Sequence, residues 1–322
     1  MNVVYLDNNA TTQVAPEVMG AMMPFFGNYY GNPSSMHTFG GQVAGRIRGA
    51  REKVAELIGA HPEEIIFTSC GTESDNAAIR SALSTALDKR HILTSRVEHP
   101  AIRALCAHLA GQGYRITELG VDKDGRLDMD QYEQNLSADT AVVSLMWANN
   151  ETGVIFPVEE AARIARERGI LFHTDAVQAA GKIPINMKEN TIDMLSISGH
   201  KLHAPKGIGI LYVRKGTKFS PFLIGGHQER ERRGGTENTP SIVGLGKACE
   251  LARINMETEN TQVKLLRDHL ETALLTAIPN SRVNGDTEHR LPNTTNISFE
   301  FVEGEGILLM MDQYGKIGRA HV

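Results

Sequence analysis

The stretch that decides the fold is residues 169–213, GILFHTDAVQAAGKIPINMKENTIDMLSISGHKLHAPKGIGILYV. It contains short apolar runs at residues 169–173, 194–197 and 208–213, and polar or glycine-containing segments separate them. Nearly continuous apolar runs of this length are typical of strands that are buried on both faces. The pattern therefore predicts neighbouring buried strands, with polar residues placed just after the strand ends.

Similar apolar runs precede this stretch, at residues 64–68, 91–94 and 141–146. Helical patterns lie between them. The apolar residues of 43–58 repeat at helical spacing, and residues 157–168 begin with proline and end before a glycine. Strands that alternate with helices indicate an α/β fold, with a mostly parallel sheet that helices cover on both faces.

The C-terminal part of the sequence has a different pattern. A long helical pattern covers residues 240–277, and a strand candidate follows at residues 294–301. A chain of 322 residues is also long for one small core. We therefore expect a large domain over residues 13–250 and a smaller α+β domain built from residues 1–12 and 251–315.

Composition excludes several classes of partner. With 33 basic and 38 acidic residues, the formal charge of −5 provides no overall positive field for nucleic acid or anionic lipid. No apolar stretch approaches the ~18 residues of a membrane span, and Asp7 interrupts the N-terminus before a signal-peptide core. We expect a cytoplasmic protein. Cys70, Cys106 and Cys249 show no C-x-x-C spacing, which predicts free thiols and no metal site.

Residues 69–76, SCGTESDN, follow a predicted strand and open a predicted helix. Backbone N–H groups at such a helix start, here those of Gly71 and Thr72, can bind an anion such as phosphate. An ordinary strand-to-helix turn, capped by Thr72 or Ser74, explains the same residues equally well. The G-x-x-x-x-G-K-[ST] motif is absent from the sequence, so a nucleotide triphosphate site is not supported.

Two chemically reactive residues follow the strands of the first stretch. Asp175 comes just past one strand, at the edge where α/β sheets bind ligands. Lys201 follows the next strand, after Ser198, Gly199 and His200, and is a candidate Schiff-base lysine. Each has a simpler interpretation, because Asp175 could cap a helix, His200 could be a hydrogen-bonded loop residue and Lys201 could be a solvated charge.

Taken together, an anion site, an acid and an amine at successive strand ends are what pyridoxal 5'-phosphate requires. The acid would keep the ring nitrogen of that cofactor protonated. His99, in residues 97–100 (VEHP), and Asn150, in residues 147–153 (WANNETG), add an imidazole and an amide at the same sheet edge. A satisfied loop histidine and an Asx-turn are the alternatives for these two residues.

Motifs along most of the chain point to one family. They are residues 5–12 (YLDNNATT), 31–35 (GNPSS), 68–75 (TSCGTESD), 97–100 (VEHP), 149–153 (NNETG), 175–178 (DAVQ), 198–201 (SGHK) and 233–238 (RGGTEN). With these motifs, the chain resembles the pyridoxal-phosphate-dependent cysteine desulfurases of the class V aminotransferase family, from Val4 to about Tyr314. The SCGTES and MWANN segments are most similar to the branch that serves nitrogenase cluster assembly. The resemblance implies a fold-type I transferase with a sheet of the seven-stranded type.

The resemblance also implies catalytic roles. Lys201 would hold the cofactor as a Schiff base and later move a proton. Asp175 would pair with the pyridine nitrogen, Gln178 would bond the phenolic oxygen, and His99 would stack on the ring. Asn150 would help to orient the substrate, L-cysteine.

The phosphate would be bound by several groups, and one of them would come from a partner subunit. That residue is Thr236, which makes a homodimer the expected assembly. The phosphate ligands implied within one chain are Gly71, Thr72, Ser198 and His200, and Gly199 is a further expected cofactor-binding residue.

In this family, L-cysteine becomes L-alanine, and an enzyme cysteine carries the sulfur as a persulfide to an iron–sulfur cluster scaffold. That cysteine is expected in a Ser/Gly-rich loop soon after residues 304–311. This sequence instead reads KIGRAHV over residues 316–322, which resembles a translated sequencing adapter. We expect a C-terminally truncated chain with a foreign tail over 316–322, lacking the nucleophile loop and the arginine for the substrate carboxylate. Such a fragment would be inactive in sulfur transfer.

Two alternatives remain at this point. The same cofactor residues would suit a selenocysteine lyase or a related class V aminotransferase. A protein of another class, a catalytically silent cofactor-binding or scaffold fragment, would also keep these motifs.

Overall fold

A computed structural model describes residues 3–320. Its centre is a seven-stranded sheet with strand order β2-β8-β7-β6-β5-β3-β4. Strand β8 runs opposite to the other six strands of this sheet, which confirms the predicted mostly parallel sheet. The strands are β1 (Val4–Tyr5), β2 (Ile65–Thr68), β3 (His91–Ser95), β4 (Arg115–Leu119), β5 (Thr140–Ser144), β6 (Leu171–Asp175), β7 (Met194–Ser198), β8 (Gly209–Val213), β9 (Ser281–Val283), β10 (Ile297–Phe299) and β11 (Lys316–Ile317).

Helices cover both faces of this sheet, as predicted. Alternate residues of β2 show this, because Ile65 and Phe67 enter one apolar core and Ile66 enters another. The helices are α1 (Pro16–Met22), α2 (Pro24–Gly27), α3 (Thr38–Leu57), α4 (Gly71–Thr85), α5 (Pro100–Ala110), α6 (Met129–Asn135), α7 (Val158–Glu167), α8 (Thr239–Ile254), α9 (Met256–Thr258), α10 (Lys264–Ala277) and α11 (Gly304–Gln313).

The predicted long helix of residues 240–277 is interrupted. Helix α8 ends at Ile254, and a π-helical turn over Glu259–Val263 precedes α10. Residues 255–263, NMETENTQV, are mostly polar but contain neither glycine nor proline, so the sequence carries no signal for a break. The strand expected at residues 294–301 is the shorter β10, which pairs antiparallel with β9.

The two ends of the described chain meet in a small parallel pair. Val4 lies opposite Lys316 and Tyr5 opposite Ile317. Residues 316–320 of the expected foreign tail are therefore part of the described structure, and residues 321–322 lie outside it. The domain boundaries at residues 13–250 and 251–315 stay a prediction.

Helices within residues 3–320 are either too short or too polar to cross a membrane.

Candidate active site

The predicted site residues meet at one edge of the sheet because the parallel strands end there. Thr68 of β2 and Ser198 of β7 both lie opposite Gly209, the first residue of β8. Asp175 ends β6, next to β7. The carboxyl ends of parallel strands are where α/β folds place their ligands.

Lys201 lies in the short 3₁₀ turn Gly199–Lys201 that follows β7. Its Nζ donates hydrogen bonds to the carbonyl oxygens of Asn9 and, at 2.8 Å, Ala10. Burial lowers the pKa of Lys201 to about 8. An amine with this pKa is far more often unprotonated at neutral pH than an ordinary lysine, so Lys201 can act as a nucleophile or a base.

Asp175 is a buried acid one strand away. Its Oδ1 accepts a hydrogen bond from the Val177 backbone N–H at 2.9 Å. Burial raises the pKa of Asp175, while the positive charge that His99 or Lys201 can carry works in the opposite direction. A buried carboxylate of this kind is stabilised by a cation, and a protonated ring nitrogen is one.

His99 is the N-cap of α5. Its Nδ1 accepts a hydrogen bond from the Ala101 N–H at 3.1 Å, so the neutral ring carries its proton on Nε2. Although much of the residue is exposed to solvent, partial desolvation lowers the pKa of His99. A neutral flat ring suits stacking on a cofactor.

Glu98, which the sequence analysis did not single out, fixes the segment before His99. The Glu98 carboxyl is buried, and its Oε1 accepts from Ser95 Oγ at 2.7 Å and from the Met146 N–H at 2.9 Å. Burial raises the pKa of Glu98 to about 8. The residue therefore ties the end of β3 to the end of β5, beneath the site. Its position directly before the histidine was the only signal.

The N-terminal segment, residues 5–12, carries a family motif for which no role was predicted. In addition to the hydrogen bond from Lys201, the Asn9 carbonyl accepts a hydrogen bond from Gln178 Nε2 at 3.0 Å. Thr11 Oγ1 contacts His200 Nδ1 at 3.1 Å, and burial lowers the pKa of His200 to about 4. This segment therefore closes one side of the site.

Asn150 reaches the site through its backbone, since its carbonyl accepts from Asn9 Nδ2 at 3.3 Å. The side chain of Asn150 donates to Glu151. The Asx-turn considered for Asn150 is formed instead by Asn149, whose Oδ1 accepts from the N–H groups of Glu151 and Thr152, each at 2.9 Å.

Helix α4 begins at Gly71, and its N-cap is Cys70 rather than Thr72 or Ser74. Cys70 Sγ accepts from the Glu73 N–H at 3.4 Å. The first N–H groups of a helix have no partner within the helix and carry partial positive charge, so those of Gly71 and Thr72 are available to an anion.

Gly71 fits the site because it lacks a side chain. A Cβ there would lie 3.0 Å from Val177 Cγ2 and 3.4 Å from Ser198 Cβ. We call the start of α4 at Gly71 and Thr72, together with the neighbouring Ser198, the phosphate cup. Beside this cup, a groove of about 510 Å³ is bounded by residues that include Thr72, Asn76 and His99. The cup, the amine of Lys201 and the buried Asp175 together fit the phosphate, the aldehyde and the ring nitrogen of pyridoxal phosphate.

A family model described as aminotransferase class V matches residues 4–319. The chain belongs to the class V aminotransferase family. This family assignment confirms the prediction made from the motifs.

Similar proteins of this family are described as cysteine desulfurases. A cysteine desulfurase from Trichormus azollae is 61% identical over 315 residues, which are 98% of this chain and 79% of the relative. The cysteine desulfurase NifS of Azotobacter vinelandii is 58% identical over 313 residues, 97% of this chain and 78% of the relative. The predicted relationship to cysteine desulfurases, including the nitrogen-fixation branch, is confirmed.

Solved structures agree with the fold. A NifS-like protein has a TM-score of 0.95 at 38% identity and covers 98% of this chain and 87% of its own. A structure titled "SspA in complex with cysteine" has a TM-score of 0.85 at 34% identity, covering 96% of this chain and 86% of its own. The predicted fold-type I architecture is therefore confirmed.

Thr236 stands apart from the other predicted site residues. It lies on the loop that precedes α8 and is exposed to solvent in the single chain.

Proposed function

We propose that the chain is a cysteine desulfurase that binds pyridoxal 5'-phosphate at this site and acts on L-cysteine. The observation that carries the proposal is the pairing of a half-buried Lys201 amine with a buried Asp175 carboxyl at neighbouring strand ends. The start of α4 completes the set. Each of the three groups answers one chemical requirement of the same cofactor.

When bound, the cofactor supplies an electron-withdrawing ring that stabilises negative charge at the substrate Cα. Lys201 Nζ would hold the cofactor through its aldehyde group and, as a free amine, would move the proton of the substrate Cα. Its lowered pKa of about 8 suits both tasks. Asp175 would keep the ring nitrogen protonated, and His99 would stack on the ring.

The remaining proposed residues hold the cofactor and orient the substrate. Gln178 is assigned to the phenolic oxygen, and Asn150 to the substrate. The phosphate is assigned to the start of α4 and to the turn after β7. One further ligand comes from a second copy of the chain, so the proposed assembly is a homodimer. The proposed phosphate ligands are Gly71, Thr72, Ser198, His200 and the Thr236 of the second copy, and Gly199 is a further proposed cofactor-binding residue.

The sulfur-transfer step needs a nucleophilic thiol, and two of the three cysteines are unsuited to it. Burial raises the pKa of Cys106 and of Cys249 to about 12, so neither forms a thiolate readily. Cys70 is partly exposed, and its Sγ caps α4. We propose that none of these three thiols carries the sulfur, so that its passage to an iron–sulfur scaffold in the cytoplasm needs a nucleophilic thiol that these residues do not supply.

The proposal is tested by exchange of the substrate Cα hydrogen in D₂O, measured by NMR. This step needs Lys201 and the cofactor but no enzyme thiol. We expect exchange with L-cysteine, no exchange in Lys201→Ala, and normal exchange in Lys206→Ala, which changes an exposed lysine nearby. A chain that exchanges no L-cysteine hydrogen, or that accepts only selenocysteine, would contradict the proposal.

A further inference from the structure

The loop between β8 and α8 holds an unusual backbone conformation. We call residues 225–236 the anchored loop. Glu229, Arg230 and Glu231 have φ values of 47°, 59° and 65°. Residues with a side chain rarely adopt this left-handed region, and consecutive ones persist only where surrounding contacts impose it.

The contact that imposes this conformation is a buried ion pair. The Glu229 side chain is 3% exposed and that of Arg51 is 11% exposed. Arg51 Nη1 and Nη2 each donate to one oxygen of the Glu229 carboxylate at 2.7 Å. The Phe67 N–H adds a third hydrogen bond at 3.0 Å. Paired, charge-assisted bonds in a buried setting fix both distance and orientation.

Arg51 is itself held in place. It belongs to α3, its Nη1 also donates to the Ile65 carbonyl at 2.8 Å, and its guanidinium lies 4.6 Å from the centre of the Phe67 ring. Arg230 Nη2 donates to the same Ile65 carbonyl at 2.6 Å. One side of the anchored loop is therefore fixed to β2, the strand that leads into the phosphate cup.

The other side of the anchored loop is fixed to the helix that follows the cup. Arg233 donates to both carboxylate oxygens of Glu73 in α4, at 2.9 and 3.2 Å. Glu73 also accepts from the Ser69 N–H at 2.7 Å. The loop ends are in close contact, since a Cβ on Gly234 would lie 2.6 Å from the Gly225 nitrogen. The exposed Thr236 comes directly after this closed neck.

We infer that Glu229, held by Arg51, is a positioning residue that fixes the anchored loop and thereby places Thr236 for the cofactor phosphate of a second copy of the chain. This inference rests on the proposed function and its homodimer. The cup in the same chain has other supports, since β2 also pairs with β8 and Thr68 Oγ1 lies 2.7 Å from Ser74 Oγ of α4. Substituting Glu229 should weaken cofactor binding in the partner and not in its own chain.

Dimers of two differently substituted chains separate the effect of Glu229→Gln on its own cofactor site from its effect on the partner's site. In the first, one chain carries Lys201→Ala and the other Glu229→Gln, so that the only remaining Lys201 receives a Thr236 from a loop with Glu229 intact. In the second, one chain carries both substitutions and its partner none, so that the only Lys201 receives a Thr236 from the altered loop. Two affinity tags isolate each mixed dimer.

The measurement is cofactor affinity, obtained by titrating pyridoxal phosphate, reducing with borohydride and counting modified Lys201 by peptide mass spectrometry. The reference dimer pairs Lys201→Ala with an unchanged chain. We expect the first dimer to match this reference and the second to bind the cofactor at least about fivefold more weakly. The opposite order, or equal affinity in all three dimers, would overturn the inference.

Controls separate positioning from folding. Glu167→Gln breaks an exposed ion pair with Arg163 and should change nothing in either arrangement. If Glu229→Gln does not fold, Arg51→Lys replaces it, because lysine keeps the charge but not the two-pronged geometry. Failure of both variants to fold would make the pair a stability determinant alone and overturn the inference. Monomeric chains would overturn it as well, while cofactor trapping at Lys201 would leave the rest of the proposed function intact.

Discussion

The amine of Lys201 donates hydrogen bonds to two backbone carbonyls, those of Asn9 and Ala10, near the N-terminus of the chain. Burial is the largest cause that lowers the pKa of Lys201 to about 8, and the positive charge of Arg319 acts in the same direction. The amine is therefore oriented by its partners and remains easy to deprotonate.

This pKa predicts how cofactor attachment depends on pH. Only the unprotonated amine attacks the aldehyde, so the attachment rate should rise about tenfold per pH unit below about pH 8 and level off above it. Stopped-flow absorbance after mixing cofactor-free protein with pyridoxal phosphate measures the rate. A rate that keeps rising towards pH 10.5, the ordinary value for lysine, would show that burial does not act on Lys201.

Asp175→Asn tests the proposed acid. Asparagine keeps the shape but cannot hold a protonated ring nitrogen by charge, so Cα hydrogen exchange of L-alanine should fall by about 100-fold, or ~2.7 kcal/mol of transition-state stabilisation. Cofactor affinity should change far less. The matched control is Asp193→Asn, whose carboxylate accepts from the Phe172 N–H at 2.8 Å, away from the strand end occupied by Asp175. Unchanged exchange in Asp175→Asn would remove this residue from the mechanism.

At the residue scale, the sequence identified side chains by chemical type and by position after strands. Lys201, Asp175 and His99 were found in this way, and the structure brings them to one sheet edge. The carbonyls of Asn9 and Ala10 could not be found, because a backbone acceptor has no residue-type signal and its partner is distant in sequence. Cys70 was not considered as a cap, since cysteine is not among the residues that usually cap helices.

At the scale of elements, strand ends and helix starts build the site. Helix α4 is the clearest case, because its first residue, Gly71, lies against Val177 in the turn after β6 and Ser198 at the end of β7. The glycine brings backbone N–H groups close to the place where a phosphate would bind.

Gly71→Ala should weaken pyridoxal phosphate binding by about tenfold, because the added Cβ would lie 3.0 Å from Val177 Cγ2 and displace the cup. Equilibrium titration followed by visible absorbance measures the affinity. The matched control is Gly49→Ala in α3, where a Cβ meets nothing within 4 Å. This control should leave affinity unchanged and raise the free energy of unfolding by about 0.5–1 kcal/mol. Equal effects of the two substitutions would contradict a special role for Gly71.

Elements with strong apolar patterns were predictable, and the weakly patterned ones were not. Strand β4, Arg115–Leu119, was missed because it is a sheet edge with partly exposed residues, RITEL, that carry little apolar signal. The break between α8 and α10 was missed because the π turn, ENTQV, contains neither glycine nor proline to indicate it. In contrast, β5 to β8 were recognisable because both faces of each are buried, with the one partly exposed residue, Leu171, at the start of β6.

At the scale of the whole molecule, the core separates two of the three thiols from the site chemistry. Cys106 lies in one apolar core and Cys249 in the other. Burial raises the pKa of both to about 12.

The chain should therefore not accumulate persulfide on Cys106 or Cys249 when supplied with L-cysteine. Mass spectrometry of alkylated peptides detects the added sulfur, and sulfide release in the presence of a reductant measures turnover. We expect no catalytic sulfide from the 322-residue chain. Multiple turnovers that disappear when Cys70, Cys106 or Cys249 is replaced by serine would identify that thiol as the nucleophile and contradict the expectation.

The measurement that tests the central claim most directly is the location of the cofactor bond. The chain is loaded with pyridoxal phosphate, reduced with borohydride, digested and mapped by mass spectrometry. We expect one modified lysine, Lys201, and no stoichiometric modification in Lys201→Ala. Modification of a different single lysine, or labelling spread evenly over exposed lysines such as Lys206, would contradict it.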